Sequence, residues 1–370
     1  MKIKNLIISF VIFIFCLINN SFAKTLPPGT GTQADVPSNV LILLDKSGSM
    51  GWRMSSAQSV NYPMQSTTDS SGNIFVSQYY TYGIKKFTYA DKKIDTSWGD
   101  GGVHKGRTNS SQCRVYYNYG GVKIQNGIIY VPSYYDRKIR MIRQSDGACL
   151  GSINIGQYIR GFDIHTISGT AHLFALHSGG VYTRNLSNNV SKTCPHGNNS
   201  YLRNTFAAAA SGNYLYTYQS SRISRFELVA SGNNYCPQTS GYKTTSRSLG
   251  SVYGMTAHPT NAGELYLLSY SNSKLYKVTV ASNGTSHTLN WTKGTRKYNG
   301  TSSAANLYFY YPLGVHYDDT NNRLIVSGYN SRTVEILDDY GDWIKTIGGA
   351  ATTRMKAAQD AIKSIVTDSD

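Results

Sequence analysis

Asp45, Ser47 and Ser49 stand at alternate positions in Asp45-Lys46-Ser47-Gly48-Ser49-Met50. One carboxylate and two hydroxyls are hard oxygen donors, and such a set suits Mg²⁺, or Ca²⁺ and Mn²⁺, better than a soft-ligand metal. Gly48 permits a turn tight enough for the oxygens to converge. A second set is His165, His258 and His316, which recur at equivalent places in a repeated segment. Imidazole is the usual zinc ligand, so the three form an alternative metal set. Each also suits the polar turn that follows a strand, as in His258-Pro259-Thr260, with no ligand role. Cys113, Cys149, Cys194 and Cys236 contain no Cys-x-x-Cys pair, which argues against a zinc knuckle and leaves disulfides or free thiols. The sequence carries no Gly-x-Ser-x-Gly, His-Glu-x-x-His or phosphate loop.

The acidic motif needs an element to hold it. Val40–Leu44 is an unbroken apolar run, the pattern of a parallel strand covered on both faces, and ligands bind at the carboxyl ends of such strands. The helix that should follow at once is best matched far downstream, at Thr353–Val366. There Met355, Ala358, Ile362, Ile365 and Val366 share one helical face, and Thr352 or Thr353 can cap the start.

This strand, loop and helix resemble the von Willebrand factor A domain with its metal-ion-dependent adhesion site. Asp45, Ser47 and Ser49 match the family's Asp-x-Ser-x-Ser positions, and the Arg354-Met355-x-x-Ala358 helix matches as well. The resemblance implies one Mg²⁺ with an open position for an acidic group of a protein or surface-glycan ligand. It also implies further ligands from later loops, so the chain is expected to end before the domain is complete. An exported A domain of this kind also resembles the N-terminal part of type IV pilus tip adhesins, which implies pilus components as partners.

Residues 61–348 carry an internal repeat. Turns lead into apolar strands at Gly72–Ser77, Asn126–Val131, Ala171–Leu176, Gly212–Thr217, Gly263–Leu268 and Asn322–Ser327. Second strands follow, such as Lys138–Ile142, Ser221–Phe226, Lys274–Val278 and Arg332–Leu337, and shorter ones precede, such as Gly161–His165 and Gly254–His258. Repeats of this size that close radially make a β-propeller. The starts Tyr62-Pro63-Met64 and Tyr311-Pro312-Leu313-Gly314-Val315 resemble NHL-type blades. The expected class is mainly β: an NHL-like propeller of about six blades inserted into a truncated α/β doubly wound A domain. A two-sheet β-sandwich is the alternative.

The expected order is a signal peptide at 1–23, a linker at 24–35, the A domain's first piece at 36–52, the propeller at 61–348 and the second piece at 349–370. Lys2 and Lys4 precede an apolar stretch that ends in Ser21-Phe22-Ala23, a cleavable export signal too short for a confident membrane span. Export to the periplasm, cell surface or medium makes two disulfides the expected use of four cysteines. Each cysteine lies between successive repeats, so Cys113–Cys149 and Cys194–Cys236 are the expected pairs, although spacing alone allows three connectivities. The net charge of +16 and pI near 9.5 suit anionic surfaces, polysaccharides or phospholipid heads, or an ordinary solvated surface; nucleic acid is a poor partner for an exported chain. The expected function is therefore binding rather than catalysis, through the metal site and a propeller surface. The alternative is a propeller-based metal-dependent lyase or hydrolase tethered by the A domain.

Overall fold

The computed structural model describes residues 60–348 apart from 80, 109–112, 198, 204 and 299–301. These residues form six radial β-sheets. Blade 1 is β1 (Pro63–Thr68), β2 (Ile74–Gln78) and β3 (Gly83–Phe87); blade 2 is β4 (Lys123–Gln125), β5 (Ile128–Ser133), β6 (Lys138–Arg143) and β7 (Cys149–Asn154). Blade 3 is β8 (Gly161–Ile167), β9 (Thr170–His177), β10 (Gly180–Asn185) and β11 (Ser191–Cys194). Blade 4 holds β12 (Ala207–Ser211), β13 (Tyr214–Gln219) and β14 (Arg222–Ser231), whose two halves pair separately with β15 (Asn234–Pro237) and β16 (Lys243–Ser246). Blade 5 is β17 (Val252–Ala257), β18 (Glu264–Ser269), β19 (Lys274–Val280) and β20 (His287–Lys293). A short parallel pair, β21 (Thr295–Arg296) and β22 (Tyr308–Phe309), precedes blade 6, which is β23 (Pro312–Asp318), β24 (Arg323–Gly328), β25 (Thr333–Asp338) and β26 (Trp343–Gly348). Within each blade except the branched fourth, the strands are antiparallel neighbours in chain order from the axis outward.

The inner strands close a ring: β1 touches β4, β4 touches β8, then β12, β17 and β23 follow, and β23 returns to β1. Between each pair of successive blades lies one apolar cluster, six in all, including one that joins blade 6 to blade 1 through Ile336, Ile347, Val60 and Val76. Blades stacked face to face bury both sides of their middle strands, so runs such as Ile74-Phe75-Val76 and Leu173-Phe174-Ala175-Leu176 need no alternation. The outermost β20 does alternate, as a half-covered strand should. Glycines let inner strands approach closely: a Cβ on Gly314 would sit 2.5 Å from Met64 O, and one on Gly254 2.8 Å from Leu313 O. That is the physical content of the Pro-x-Gly blade start, and both β1 and β23 do begin at a proline. The ring's two ends meet: a Cβ on Gly348 would lie 2.8 Å from Val60 Cγ2.

Cys113 bonds Cys149 on β7, and Cys194 on β11 bonds Cys236 on β15. The first ties the segment between blades 1 and 2 to the rim of blade 2; the second joins the rims of blades 3 and 4. Two disulfides indicate an oxidising, exported environment.

The six-bladed, mainly β reading therefore holds, but the α/β part finds no support. The described residues contain no helix. The signal segment, the strand at Val40–Leu44, the motif residues Asp45, Ser47 and Ser49, and the helix at Thr353–Val366 all lie outside them. No helix among the described residues is long and apolar enough to cross a membrane.

Candidate functional site

The carboxyl ends of the inner strands open on a cavity of about 430 Å³ lined by Thr68, Lys123, Asp163, His165, His258 and His316, among others. The three sequence-predicted histidines thus share one mouth. They do not form a metal set: among the described residues, the one group whose ligand atoms lie within 4.8 Å of one another is His258, Glu264 and Asp339. Each histidine has work elsewhere. His165 Nε2 donates to Gly212 O at 2.8 Å, linking blades 3 and 4. His316 Nε2 lies 2.9 Å from Thr68 Oγ1, linking blades 6 and 1. His258 Nδ1 accepts the Thr260 and Asn261 amides, both at 3.2 Å, in the turn after β17. Burial, then the Lys123 charge, pushes His316 down to about 3, so its ring is neutral.

The remaining polar groups of this mouth are similarly paired. Asp163 takes Lys123 Nζ at 2.7 Å on Oδ1 and the Ala210 amide at 2.7 Å on Oδ2, which ties blades 2, 3 and 4. In the His258, Glu264 and Asp339 group, Lys277 Nζ already stands 2.9 Å from Glu264 and 3.6 Å from Asp339, so an ammonium supplies the positive charge there. Between the two mouths, packing around Gln65, Phe162, Met255 and Val315 leaves only about 10 Å³. That is no more than one water's worth of space.

The opposite mouth is built differently. Each inner strand has an aromatic residue within four positions of its start: Tyr62, Tyr119, Tyr158, Phe206, Tyr253 and Tyr311 in blades 1 to 6. The turns between second and third strands reach the same side, because neighbouring strands are antiparallel. In four of those turns a tyrosine stands at one register position: Tyr79, Tyr134, Tyr270 and Tyr329. The rings touch in one continuous series. Tyr62 meets Tyr329 at 5.2 Å, Tyr329 meets Tyr79 at 6.0 Å, and Tyr79 meets Tyr117 at 4.2 Å. Tyr117 then meets Tyr119 and Tyr135, and Tyr119 meets Tyr134, Phe206 and Tyr253. Tyr253 leads through Tyr270, Tyr311 and Tyr310 to Tyr298.

Arginines are laid over this sheet of rings: Arg114 on Tyr82 at 4.0 Å, Arg137 on Tyr158 at 4.5 Å, Arg296 on Tyr311 at 4.3 Å, Arg332 on Tyr62 at 4.4 Å and Arg160 on Phe206 at 5.3 Å. Arg332 also donates to Tyr62 OH at 2.6 Å and Arg137 to Tyr158 OH at 3.0 Å. The acid Asp136 is already engaged by Arg140 at 2.7 Å and Ser133 at 2.9 Å. Burial pushes the Tyr119, Tyr117 and Tyr270 hydroxyls up, so they remain neutral. The backbone beneath is strained. Tyr62, Tyr82, Tyr117, Tyr311, Arg137 and Arg332 all have φ between 48° and 57°, where bulky side chains seldom sit. Tyr298 and Tyr135 stand 60% and 48% exposed. This mouth is an amphipathic, cationic surface of neutral hydroxyls and ring faces. The chain holds thirty tyrosines, and their number alone marks no surface. The signal that would have found the surface is the repeated Tyr at one position of four turns.

No protein-family model matches the chain, and no curated protein matches it in sequence. Solved structures do resemble it. Virginiamycin B lyase from Staphylococcus aureus is 12% identical, with 80% of this chain and 86% of that one covered at a TM-score of 0.47. Kuenenia stuttgartiensis hydrazine synthase is 10% identical over 86% of this chain and 100% of that one, at 0.50. A functionally unknown protein from Desulfotomaculum acetoxidans is 11% identical over 79% and 87%, at 0.51. The two likenesses at 0.50 and 0.51 agree with the propeller fold that the strands themselves define. No von Willebrand A domain or pilus adhesin is among them. One expectation, that the chain is not an enzyme, is corrected: the fold is shared with hydrazine synthase at 0.50, so it gives no ground for setting catalysis aside.

Proposed function

We propose that this chain is an exported binding protein whose propeller recognises its partner through the tyrosine and arginine face. The observation that carries the reading is the unbroken series of ring contacts, joined by stacked arginines, over one mouth of the ring. Tyrosine gives large, rigid contact area with a polar tip at little entropic cost, and with arginine it dominates recognition hot spots. Strained backbone at these same residues fits a surface kept for function. In the same proposal, Asp45, Ser47 and Ser49 hold a divalent ion, Mg²⁺ first, that takes an acidic group of a protein or glycan partner, with pilus components among the candidates.

The test is retention of labelled full-length protein on mucin-coated surfaces, with and without EDTA. Changing Tyr135→Ala together with Tyr298→Ala should cut retention about tenfold or more while leaving the thermal melt in place. Asp45→Ala should remove only the EDTA-sensitive part. Retention unchanged in the double tyrosine variant would sink the reading of this face.

A further inference from the structure

Where blades 4 and 5 meet, the tyrosine face is interrupted by a cleft of about 430 Å³. Phe206 and Tyr253 form its aromatic wall, with ring centroids 4.8 Å apart and planes inclined by 35°. Gln219, Ser220, Ser251 and Ser271 supply its polar rim. The size is that of a small-ligand site. Its polar atoms differ from those of the opposite mouth in one respect: Gln219 Oε1 is buried and has no hydrogen-bond partner. A buried acceptor left unpaired costs about 1–3 kcal/mol. The blade 4 turn reads Gln219-Ser220-Ser221, with φ of 52° and 58° at the two serines; like blade 3 with Ser178, it has a serine where blades 1, 2, 5 and 6 carry a tyrosine. The absence of that ring leaves the room.

We propose that this cleft binds one hexopyranose unit of a glycan. The inference rests on reading the tyrosine face as a recognition surface and names the chemistry it selects. A pyranose is amphipathic in the same sense as the cleft: one face is a patch of C–H groups, and the rim is a circle of hydroxyls. The C–H face lies on Phe206 and Tyr253, and the Gln219 side chain turns into the cleft so that a ring hydroxyl donates to its Oε1. The serines meet the remaining hydroxyls. Arg160, whose guanidinium stands 5.3 Å from the Phe206 ring centroid, adds positive charge beside the platform.

The experiment is saturation-transfer NMR on the full-length protein with methyl β-galactopyranoside, N-acetylglucosamine and glucuronate, each at millimolar concentration. Transfer to the ring C–H protons of at least one probe is expected, with a dissociation constant on the order of 1 mM for so small a ligand. Phe206→Ala should abolish the signal. Gln219→Leu, which keeps the volume and removes the acceptor, should weaken binding about tenfold and guards against a Phe206 variant that does not fold. No transfer from all three probes, or transfer untouched by both variants, overturns the proposal. The two proposals fail separately: mucin retention lost in the Tyr135 and Tyr298 double variant with no sugar signal leaves the face standing and removes the cleft.

Discussion

The two mouths of this propeller have cavities of equal volume, about 430 Å³, and opposite character. At the carboxyl-end mouth the lysine, aspartate and histidines are paired to one another or to backbone across blade seams. At the amino-end mouth the conspicuous groups are ring faces, hydroxyls and stacked guanidiniums over a strained backbone, beside an acceptor with no partner. Titratable residues around a cavity are weak evidence of function until their partners are known. Here the mouth richest in such residues is the better-satisfied one, and its chemistry is spent on holding the ring together.

That contrast can be broken by measurement. If the polar mouth is a structural device, Asp163→Ala should strand both Lys123 and the Ala210 amide and destabilise the fold by about 3–5 kcal/mol, read as a lower melting temperature. Retention of the folded protein on mucin should be unchanged. A variant that melts normally but no longer binds would reverse the roles assigned to the two ends.

Acid gives the next largest effect. His104 is fully buried, accepts the Ile84 amide on Nδ1 at 2.9 Å and donates from Nε2 to Cys113 O at 2.9 Å. Burial is the main cause that pushes it from 6.5 to about 4. Its folded value lies below its unfolded one, so the unfolded chain binds the proton first. The stability that the neutral ring contributes is complete above pH 6.5 and is lost as pH falls toward 4, roughly 3 kcal/mol from this residue. His316 adds to the loss over a range extending to about 3. Melting curves between pH 7 and 4 test this, and His104→Gln should flatten the slope. Binding by the tyrosine face should instead stay level from pH 7 to 9, because its buried hydroxyls are pushed upward.

The smallest effect on stability belongs to the surface with the largest proposed role. Tyr298→Ala alone should shift stability by less than about 0.5 kcal/mol, since its ring is mostly exposed and, among the rings of the described residues, meets only Tyr310. A large loss on calorimetry would mean that the network is a second core rather than a docking surface.

Much of the ring was legible in the sequence because each blade repeats the same burial problem. Apolar runs after Gly-Asn turns mark strands covered on both faces, and the cysteines pair as the order of blades suggests. The split hairpin of blade 4 and the three strands of blade 1 were not legible, since outer strands carry little apolar constraint. The histidines misled because equivalence in a repeat reports a shared turn, whereas a metal set needs convergence on one point. His104 escaped notice because a lone histidine in a loop has no pattern; only the fold reveals that it holds two backbone groups. The tyrosine face escaped notice because its residues belong to six strand starts and four turns that only ring closure brings together.

The seam between blades 6 and 1 has a mechanical consequence. Among the described residues each blade is made of consecutive strands, and none of those strands from one end is zipped into the sheet of the other. The two ends are joined by Val60 against Ile347 and Gly348, by Gln65 donating to Leu313 O at 3.2 Å, and by Thr68 with His316. Both disulfides lie away from that seam. A pull on both ends at once therefore loads side-chain contacts before any β-ladder, and the ring should part there as a clasp does. In a single-molecule stretching experiment the first yield would come at low force, with blades 2, 3 and 4, which carry the disulfides, still intact.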